Sequence, residues 1–499
     1  MIFALVEAVK NIKNVVAVKY ILFSAFLLLF SFWETFAFPL TFLALVPLLL
    51  QENLFSSKWK AGLNFFVLGL CFYLPLMFWL TKTTWIGYII LCFYLSIYFG
   101  IWGVLWFCFK NKFLLAVAWV LLEIIRAFLF SGIPWMPLGA LQWKNVYFIQ
   151  IASIISCFGI SGVIIFINLV IAEIVQDCMS LRAKNSDEKR QNLIQGKSLN
   201  LRLPRRPPQV ARLLAMTLLS YRTIFLLLFF IAVYGFGYYR ISHDVKNKTE
   251  KLTVGIIHSE VPLDIKWNPF LRQANVKKYI KLSERAQKEK KCDLIVWPET
   301  CVPVYLKYEG SIFLMVHKLI VESGAYFLIG APEYKDDENN KRDYYNSEFF
   351  FAPDGSYLGQ YDKIHLVPCG EYTPFKKQFP WMIRLIPGNA EFSKGKEYTV
   401  FSCKGFRFAS LICYEDIFPQ LVKKFAEQNI DFIAVVSNDD WFYASQVRQH
   451  IAMSVFRAIE FNIPVLRSSN GGISCVIDKF GRVVVSQKKE GHIIYVFRK

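Results

Sequence analysis

Apolar and polar positions divide the chain into two regimes. Up to about Tyr239, long apolar runs are separated by short polar breaks: Tyr20–Phe36, Phe38–Leu50, Ala61–Leu80, Ile86–Phe109, Phe113–Phe130, Phe148–Val175 and Ile224–Tyr239. Several approach the ~20 residues that cross a hydrocarbon core, so the pattern predicts about seven membrane spans. The first two are short and read as a tight helical hairpin around Pro39. From about Lys251 the period changes. Leu252–His258, Cys292–Glu299, Tyr326–Glu333, Phe406–Cys413 and Asp431–Asn438 read as buried strands. Gln273–Lys291 and Gln446–Phe461 between them read as helices, and Pro353-Asp354-Gly355 marks a hairpin joining Phe349–Phe351 to Tyr357–Gln360. Strands alternating with helices predict a layered α/β domain. The expected division is a polytopic membrane domain over 1–245, with a basic loop at 177–222, and an α/β domain over 246–499.

Composition supports that division. Of 499 residues 55% are hydrophobic, 17% aromatic and only 19% charged. A net charge of +19 would suggest a nucleic-acid partner in a soluble chain. Here the basic residues flank apolar runs, as they do when they fix the orientation of membrane spans. Lys10, Lys13 and Lys19 precede the first run, Lys58 and Lys60 follow the second, and Lys110 and Lys112 follow the fourth. The loop after the sixth carries Arg182, Lys184, Lys189, Arg190, Lys197, Arg202, Arg205, Arg206, Arg212 and Arg222, and its Pro204–Pro208 stretch reads as disordered. The positive-inside bias places these breaks in the cytoplasm. Seven crossings then put everything after Tyr239 on the opposite face, and nucleic acid drops out as a partner. The first apolar run lacks a small-residue cleavage site and reads as an anchor, not a signal peptide. The 11 cysteines are odd in number, irregularly spaced and without a CxxC pair, which argues against a zinc site and a complete disulfide framework.

Three segments offer chemistry at or just after strand ends. The run from Asp293 stops at Pro298 and presents the Glu299 carboxylate. The run Tyr361–Pro374 offers the Lys363 amine and then the Glu371 carboxylate. In the third, Cys413 stands where a buried strand gives way to a helix, with Tyr414, Glu415 and Asp416 following. A thiol at a helix start is expected to have a lowered pKa. Singly these are weak signals, since a lone Cys at a strand end is more often a small core residue. A Cys nucleophile ordinarily has a His base, yet none of His243, His258, His317, His365, His450 and His492 lies in a Cys–His protease signature. His365 reads as a structural hydrogen-bonding group.

Together and in this order, Trp297-Pro298-Glu299, Asp362-Lys363 with Leu366 to Glu371, and Ile412 to Glu415 resemble the nitrilase (carbon–nitrogen hydrolase) superfamily. With a multi-span region in front, the resemblance narrows to the apolipoprotein N-acyltransferase family. Further strings are similar to that family: Gly255–Glu260 followed by Lys266-Trp267, Ser437–Phe442, Arg457–Glu460, Leu466–Gly471, Glu123–Arg126 and Ser131–Trp135. The resemblance implies an αββα sandwich on a multi-span helical domain, in a bacterial inner membrane with the catalytic domain on the periplasmic side. It implies Glu299 as general base, Lys363 as oxyanion stabiliser and Cys413 as nucleophile, passing an acyl chain from a phospholipid through a Cys thioester to the α-amine of an apolipoprotein's diacylglyceryl-cysteine. No cofactor and no metal are implied, and a monomer is expected. Glu371 and Glu415 are supporting residues, each as readily structural, and the Tyr414 backbone N–H is a second oxyanion donor. Trp267, Trp441 and Phe442 resemble a lipid pocket, with ordinary core packing the even alternative. Glu123 and Arg126, at i and i+3, suit an ion pair, with headgroup contact the sharper reading. The family pattern also implies a further membrane helix after the catalytic domain, whereas this sequence ends at Tyr495–Lys499. Two other readings keep the fold: a membrane-tethered amidase with water as acceptor, and an inert nitrilase-like module on a transporter or assembly protein.

Overall fold

The structure, a computed structural model, describes residues 15–34, 36–51, 55–194, 209–244, 249–336, 342–374, 376, 378 and 391–499. The first half is helical: α1 (Val15–Trp33), α2 (Lys58–Leu76), α3 (Trp85–Cys108), α4 (Lys112–Phe128), α5 (Ala152–Ile194, kinked at Ser156) and α6 (Gln209–Ser242). The polar breaks of the sequence are helix caps. Ser57 accepts from Lys60 N, Thr84 from Gly87 N and Asn111 from Leu114 N, each satisfying an otherwise orphaned N–H. Helices α2 and α3 approach closely because their contact is lined by glycine: a Cβ on Gly103 would lie 2.7 Å from Phe65 Cβ and 2.9 Å from Ala61 O.

Two expectations change. Among the described residues four segments, not seven, are long and apolar enough to span: Lys58–Leu76, Trp85–Cys108, Phe148–Ser180 and Tyr221–Ser242. The first apolar run forms α1, whose Val18–Trp33 stretch is a shorter apolar helix. Phe38–Leu50 breaks into a 3-10 turn at Phe38–Phe42 and one helical turn at Val46–Leu49, each with a proline in its first turn. Phe113–Phe130 becomes α4, whose 17 residues carry Glu123 and Arg126 in a buried face. The basic segment 177–222 is also largely helical, since α5 continues to Ile194 and α6 begins at Gln209. Pro204–Pro208 lies outside the described residues.

The second half holds β1 (Lys251–His258), β2 (Leu294–Val296), β3 (Tyr326–Asp336), β4 (Arg342–Phe351), β5 (Tyr357–Asp362), β6 (Val400–Cys403), β7 (Phe406–Ile412), β8 (Phe432–Asn438), β9 (Val465–Asn470), β10 (Ser474–Ile477), β11 (Val483–Gln487) and β12 (Gly491–Arg498). They form two six-stranded sheets, ordered β12-β1-β2-β3-β4-β5 and β11-β10-β9-β8-β7-β6. Each has a parallel core of three strands, β1-β2-β3 or β7-β8-β9, with antiparallel strands outside. Those parallel strands are continuous buried runs, as strands covered on both faces must be. The sheets stack face to face, and Ser468 Oγ of β9 donates to Ile257 O of β1 at 2.7 Å. Helices α7 (Arg272–Glu289) and α8 (Gly310–Ser323) cover the first sheet, with Trp297, Tyr279 and Ile320 in that layer. Helices α9 (Pro419–Ala426) and α10 (Ala444–Phe461) accompany the second. This is the expected αββα sandwich.

The two halves are pinned together by polar contacts. Gln150 Nε2 donates to Phe480 O at 2.9 Å, Cys157 N to Glu460 Oε1 at 2.8 Å and Trp135 Nε1 to Gln449 Oε1 at 2.7 Å. Glu123 and Arg126 do not pair with each other. The Glu123 carboxylate accepts from Trp119 Nε1 and Leu138 N, while Arg126 donates to Tyr73 Oη and Trp135 O. Each takes its own partners because the chain folds back at 131–138 between them, although Glu123 Oε2 and Arg126 Nε are left without a hydrogen bond among the described residues.

Candidate active site

The candidate residues sit just beyond strand ends, Glu299 and Cys413 after the parallel strands β2 and β7 and Lys363 after the antiparallel edge strand β5. Beyond β2, Glu299 is 6% exposed; just after β5, Lys363 is 1% exposed; directly after β7, Cys413 is 8% exposed. Lys363 Nζ lies 3.5 Å from Glu299 Oε1 and 2.9 Å from Glu371 Oε1. Burial alone would depress its pKa, but Glu371 first and Glu299 next outweigh that, so the amine is held charged. Asn346 Nδ2 bridges Glu299 and Glu371 at 2.8 and 2.9 Å, and Asn438 N donates to Glu299 Oε2 at 2.9 Å. Lys266 Nζ donates to Glu299 O at 3.0 Å, and burial pulls its pKa down to about 8. Glu299 therefore has both oxygens and its carbonyl fixed.

Cys413 occupies a left-handed backbone conformation, φ 53°, at the elbow between β7 and a five-residue 3-10 turn, Cys413–Ile417. A non-glycine residue here is strained, a cost that persists where surrounding contacts impose it. Thr300, which follows Glu299, is likewise left-handed at φ 44°. The expected low-pKa thiol is not found. Burial first, then Glu299, push the Cys413 pKa up, while Lys363 opposes them, and the short turn is no long helix with a full dipole. A neutral resting thiol needs a base, and Glu299 and Lys363 are the charged neighbours that act on it most strongly.

Glu415 ties the elbow to the lysine loop. Its Oε1 accepts from Tyr361 Oη, Ile364 N and His365 N at 2.8, 2.7 and 2.9 Å, and its Oε2 accepts from Ile412 N at 2.8 Å. It is fully buried, and burial pushes its pKa up to about 7. The His365 ring packs on Phe418 with centroids 3.7 Å apart. Behind the elbow, His450 Nε2 contacts Cys413 O at 3.2 Å and Asp416 Oδ1 at 2.8 Å. Arg467 links Asp416 and Asp439 at 3.1 and 3.4 Å.

The aromatic residues separate. Tyr414 stacks on Trp135 at 6.5 Å, and Phe442 is half-buried against Trp79 and Trp135 at 4.7 and 5.9 Å. Trp267 and Trp441 stand at the rim, 46% and 44% exposed. Sequence reasoning missed Asn346, Lys266, Gln449 and His450 as site-building groups. Asn346 had a signal, a polar pair (Asn346-Ser347) buried in the middle of β4. For the others the partners are remote in sequence.

Fold and site thus define a carbon–nitrogen-hydrolase-type domain built onto a helical membrane domain. Residues 263–497 match the carbon-nitrogen hydrolase family, and residues 24–170 match the apolipoprotein N-acyltransferase N-terminal domain. An apolipoprotein N-acyltransferase of Geobacter metallireducens is 30% identical over 92% of this chain and 85% of its own. One from Chlorobaculum tepidum is 25% identical over 89% of this chain and 83% of its own. Among solved structures, Nit3 of Saccharomyces cerevisiae, a member of branch 10 of the nitrilase superfamily, aligns with a TM-score of 0.39 at 20% identity, over 51% of this chain and 91% of its own. The chain belongs to the apolipoprotein N-acyltransferase family. It is a multi-pass membrane protein.

Proposed function

We propose that this protein acylates the N-terminus of lipoproteins, taking the acyl chain from a phospholipid. The carrying observation is the buried Glu299, Lys363 and Cys413 set, seated against the membrane domain in a chain of this family. Glu299 removes the Cys413 proton as sulfur attacks the phospholipid ester carbonyl. Lys363, held charged by Glu371, and the Tyr414 backbone N–H stabilise the oxyanion. The C–O bond breaks, the lysophospholipid oxygen takes the proton from Glu299, and a Cys413 thioester remains. The α-amine of a diacylglyceryl-cysteine then attacks. Its proton passes through Glu299 to the departing sulfur, and an amide and free thiol result. Glu371 orients Lys363, and Glu415 holds the elbow. Trp267, Trp441 and Phe442 line the path of the acyl chain.

Residues 1–245 form the membrane domain in this reading and 246–499 the catalytic domain. The basic breaks support a cytoplasmic face for the loops after the second, fourth and sixth apolar runs. With α4 crossing alongside the four longer spans, the catalytic domain is then periplasmic in a bacterial inner membrane, where no ATP or coenzyme A is at hand and a phospholipid donor suffices. The relatives favour neither the amidase nor the inert-module alternative. The test is to incubate the purified protein with phospholipid and a diacylglyceryl-cysteine peptide. Wild type should add an amide-linked chain to the peptide, and Cys413→Ala should add none. Free fatty acid with unmodified peptide would favour a hydrolase.

A further inference from the structure

The turn between α2 and α3 lies against the loop that follows β8. Lys82, the last residue of the turn Phe78–Lys82, donates from Nζ to Phe442 O at 3.0 Å and to Asp440 O at 3.3 Å. The same ammonium sits 4.6 Å from the Tyr443 ring centroid. Two aromatic contacts flank it: Phe78 stacks on Tyr443 at 6.0 Å, and Trp79 packs edge-on against Phe442 at 4.7 Å. The loop so held runs on directly from Asn438, whose N–H fixes Glu299 Oε2 at 2.9 Å.

A second tie reaches the nucleophile side. Gln449, fully buried on α10, donates to Leu76 O at the end of α2 and accepts from Trp135 Nε1, at 2.8 and 2.7 Å. The next residue, His450, contacts Cys413 O. The membrane domain thus grips one segment leading to the base and another leading to the nucleophile. An ordinary surface lysine gains little from one exposed partner. Lys82 differs in closing two carbonyls and an aromatic face at once, and it adds the polar tie to a loop otherwise held by ring contacts from Phe78, Trp79 and Trp135.

We infer that Lys82 and Gln449 form a two-point latch through which the membrane domain sets the relative position of Glu299 and Cys413. Both are positioning residues, since neither touches the reacting atoms. The inference rests on the acyl-transfer reading for its rate readout, and on geometry alone for its thiol readout. Lys82 is the cleaner probe because it is exposed and its loss leaves the core intact.

The experiment uses the full chain in phospholipid nanodiscs, comparing wild type with Lys82→Met, Lys82→Arg and Gln449→Leu. Thioester formation from a labelled phospholipid gives kcat and KM, and peptide-resolved alkylation by iodoacetamide gives the reactivity of Cys413 against pH. Misplacing a reacting group by ~1 Å costs up to about a hundredfold, so Lys82→Met should lower kcat by about tenfold with KM nearly unchanged. It should slow Cys413 alkylation and alter its pH profile at an unaltered thermal midpoint, and Lys82→Arg should restore both. Gln449→Leu should do the same with a lower midpoint. Wild-type kcat and alkylation in Lys82→Met would overturn the latch, as would losses that only follow the thermal midpoint. If wild type forms no thioester, the acyl-transfer reading falls, and the alkylation profiles still decide the latch.

Discussion

Replacing Glu415 by Gln isolates the strut between the lysine loop and the nucleophile elbow. The shape is kept, and the change falls on four hydrogen bonds: Tyr361 Oη, Ile364 N and His365 N to one oxygen, and Ile412 N to the other. Burial pushes the Glu415 pKa up to about 7, so the comparison belongs at pH 8, where the wild-type group is a carboxylate. Bonds to a charged acceptor contribute about 1.5–3 kcal/mol each against about 1 for a neutral one, and facing donors cost about 1–3. With its amide oxygen toward Tyr361, Ile364 and His365, Gln keeps three bonds at neutral strength, and its NH2 then faces the Ile412 N–H donor. The expected loss is about 4 kcal/mol at this fully buried site. For a domain of this size that is a fall of about 10 °C in thermal midpoint. The elbow should also slacken, slowing thioester formation by at least about tenfold. Thermal unfolding in detergent and single-turnover labelling of Cys413 read the two effects. A variant with wild-type midpoint and rate would refute the strut, and a fall in midpoint with an intact rate would confine Glu415 to stability.

Two further substitutions test the frame. A Cβ on Gly330 would lie 2.5 Å from Pro298 O and 2.6 Å from Thr300 N, so Gly330→Ala should push the Glu299 loop away and cut turnover by about a hundredfold at a stability cost of about 1–3 kcal/mol. Wild-type turnover in that variant would mean the loop is not held from behind. Burial, followed by Lys394, pulls the His365 pKa from 6.5 down to about 4. The unfolded chain therefore binds the extra proton first, and stability present above pH 6.5 is lost as pH falls toward 4. Between pH 7 and 5 wild type should lose about 2 kcal/mol that His365→Gln keeps, read by unfolding midpoints at the two pH values, and equal losses would place His365 in a solvated setting.

Much of this architecture was legible because the signals were strong and local. Buried parallel strands read as continuous apolar runs, and β1, β3, β7 and β8 lie within two or three residues of where those runs placed them. The Pro353–Gly355 turn required a residue able to take φ 84°, and Gly355 takes it. The span count was less legible, because hydropathy does not see Pro39 and Pro47 breaking a run into single turns. Nor does spacing reveal whether Glu123 and Arg126 choose each other or remote partners such as Leu138 N and Tyr73 Oη. The Cys413 pKa went the other way because a strand end implies a helix dipole only when a long helix follows. Here a five-residue turn follows, and burial dominates. The carboxylate–amine–thiol order was legible as a family resemblance. The groups that hold it together, Asn346, Gln449 and His450, were not, since each acts across tens to hundreds of residues.

The central claim is that Cys413 carries an acyl chain between a phospholipid and an amine. The most direct measurement is to incubate membranes holding wild type, Cys413→Ser or Glu299→Gln with a phospholipid labelled in its acyl chain, then map the label by peptide mass. The account predicts a hydroxylamine-sensitive acyl group on Cys413 in wild type alone, discharged by a diacylglyceryl-cysteine peptide and only slowly by water. Label on a different residue, or equal label in the Cys413→Ser protein, would contradict it.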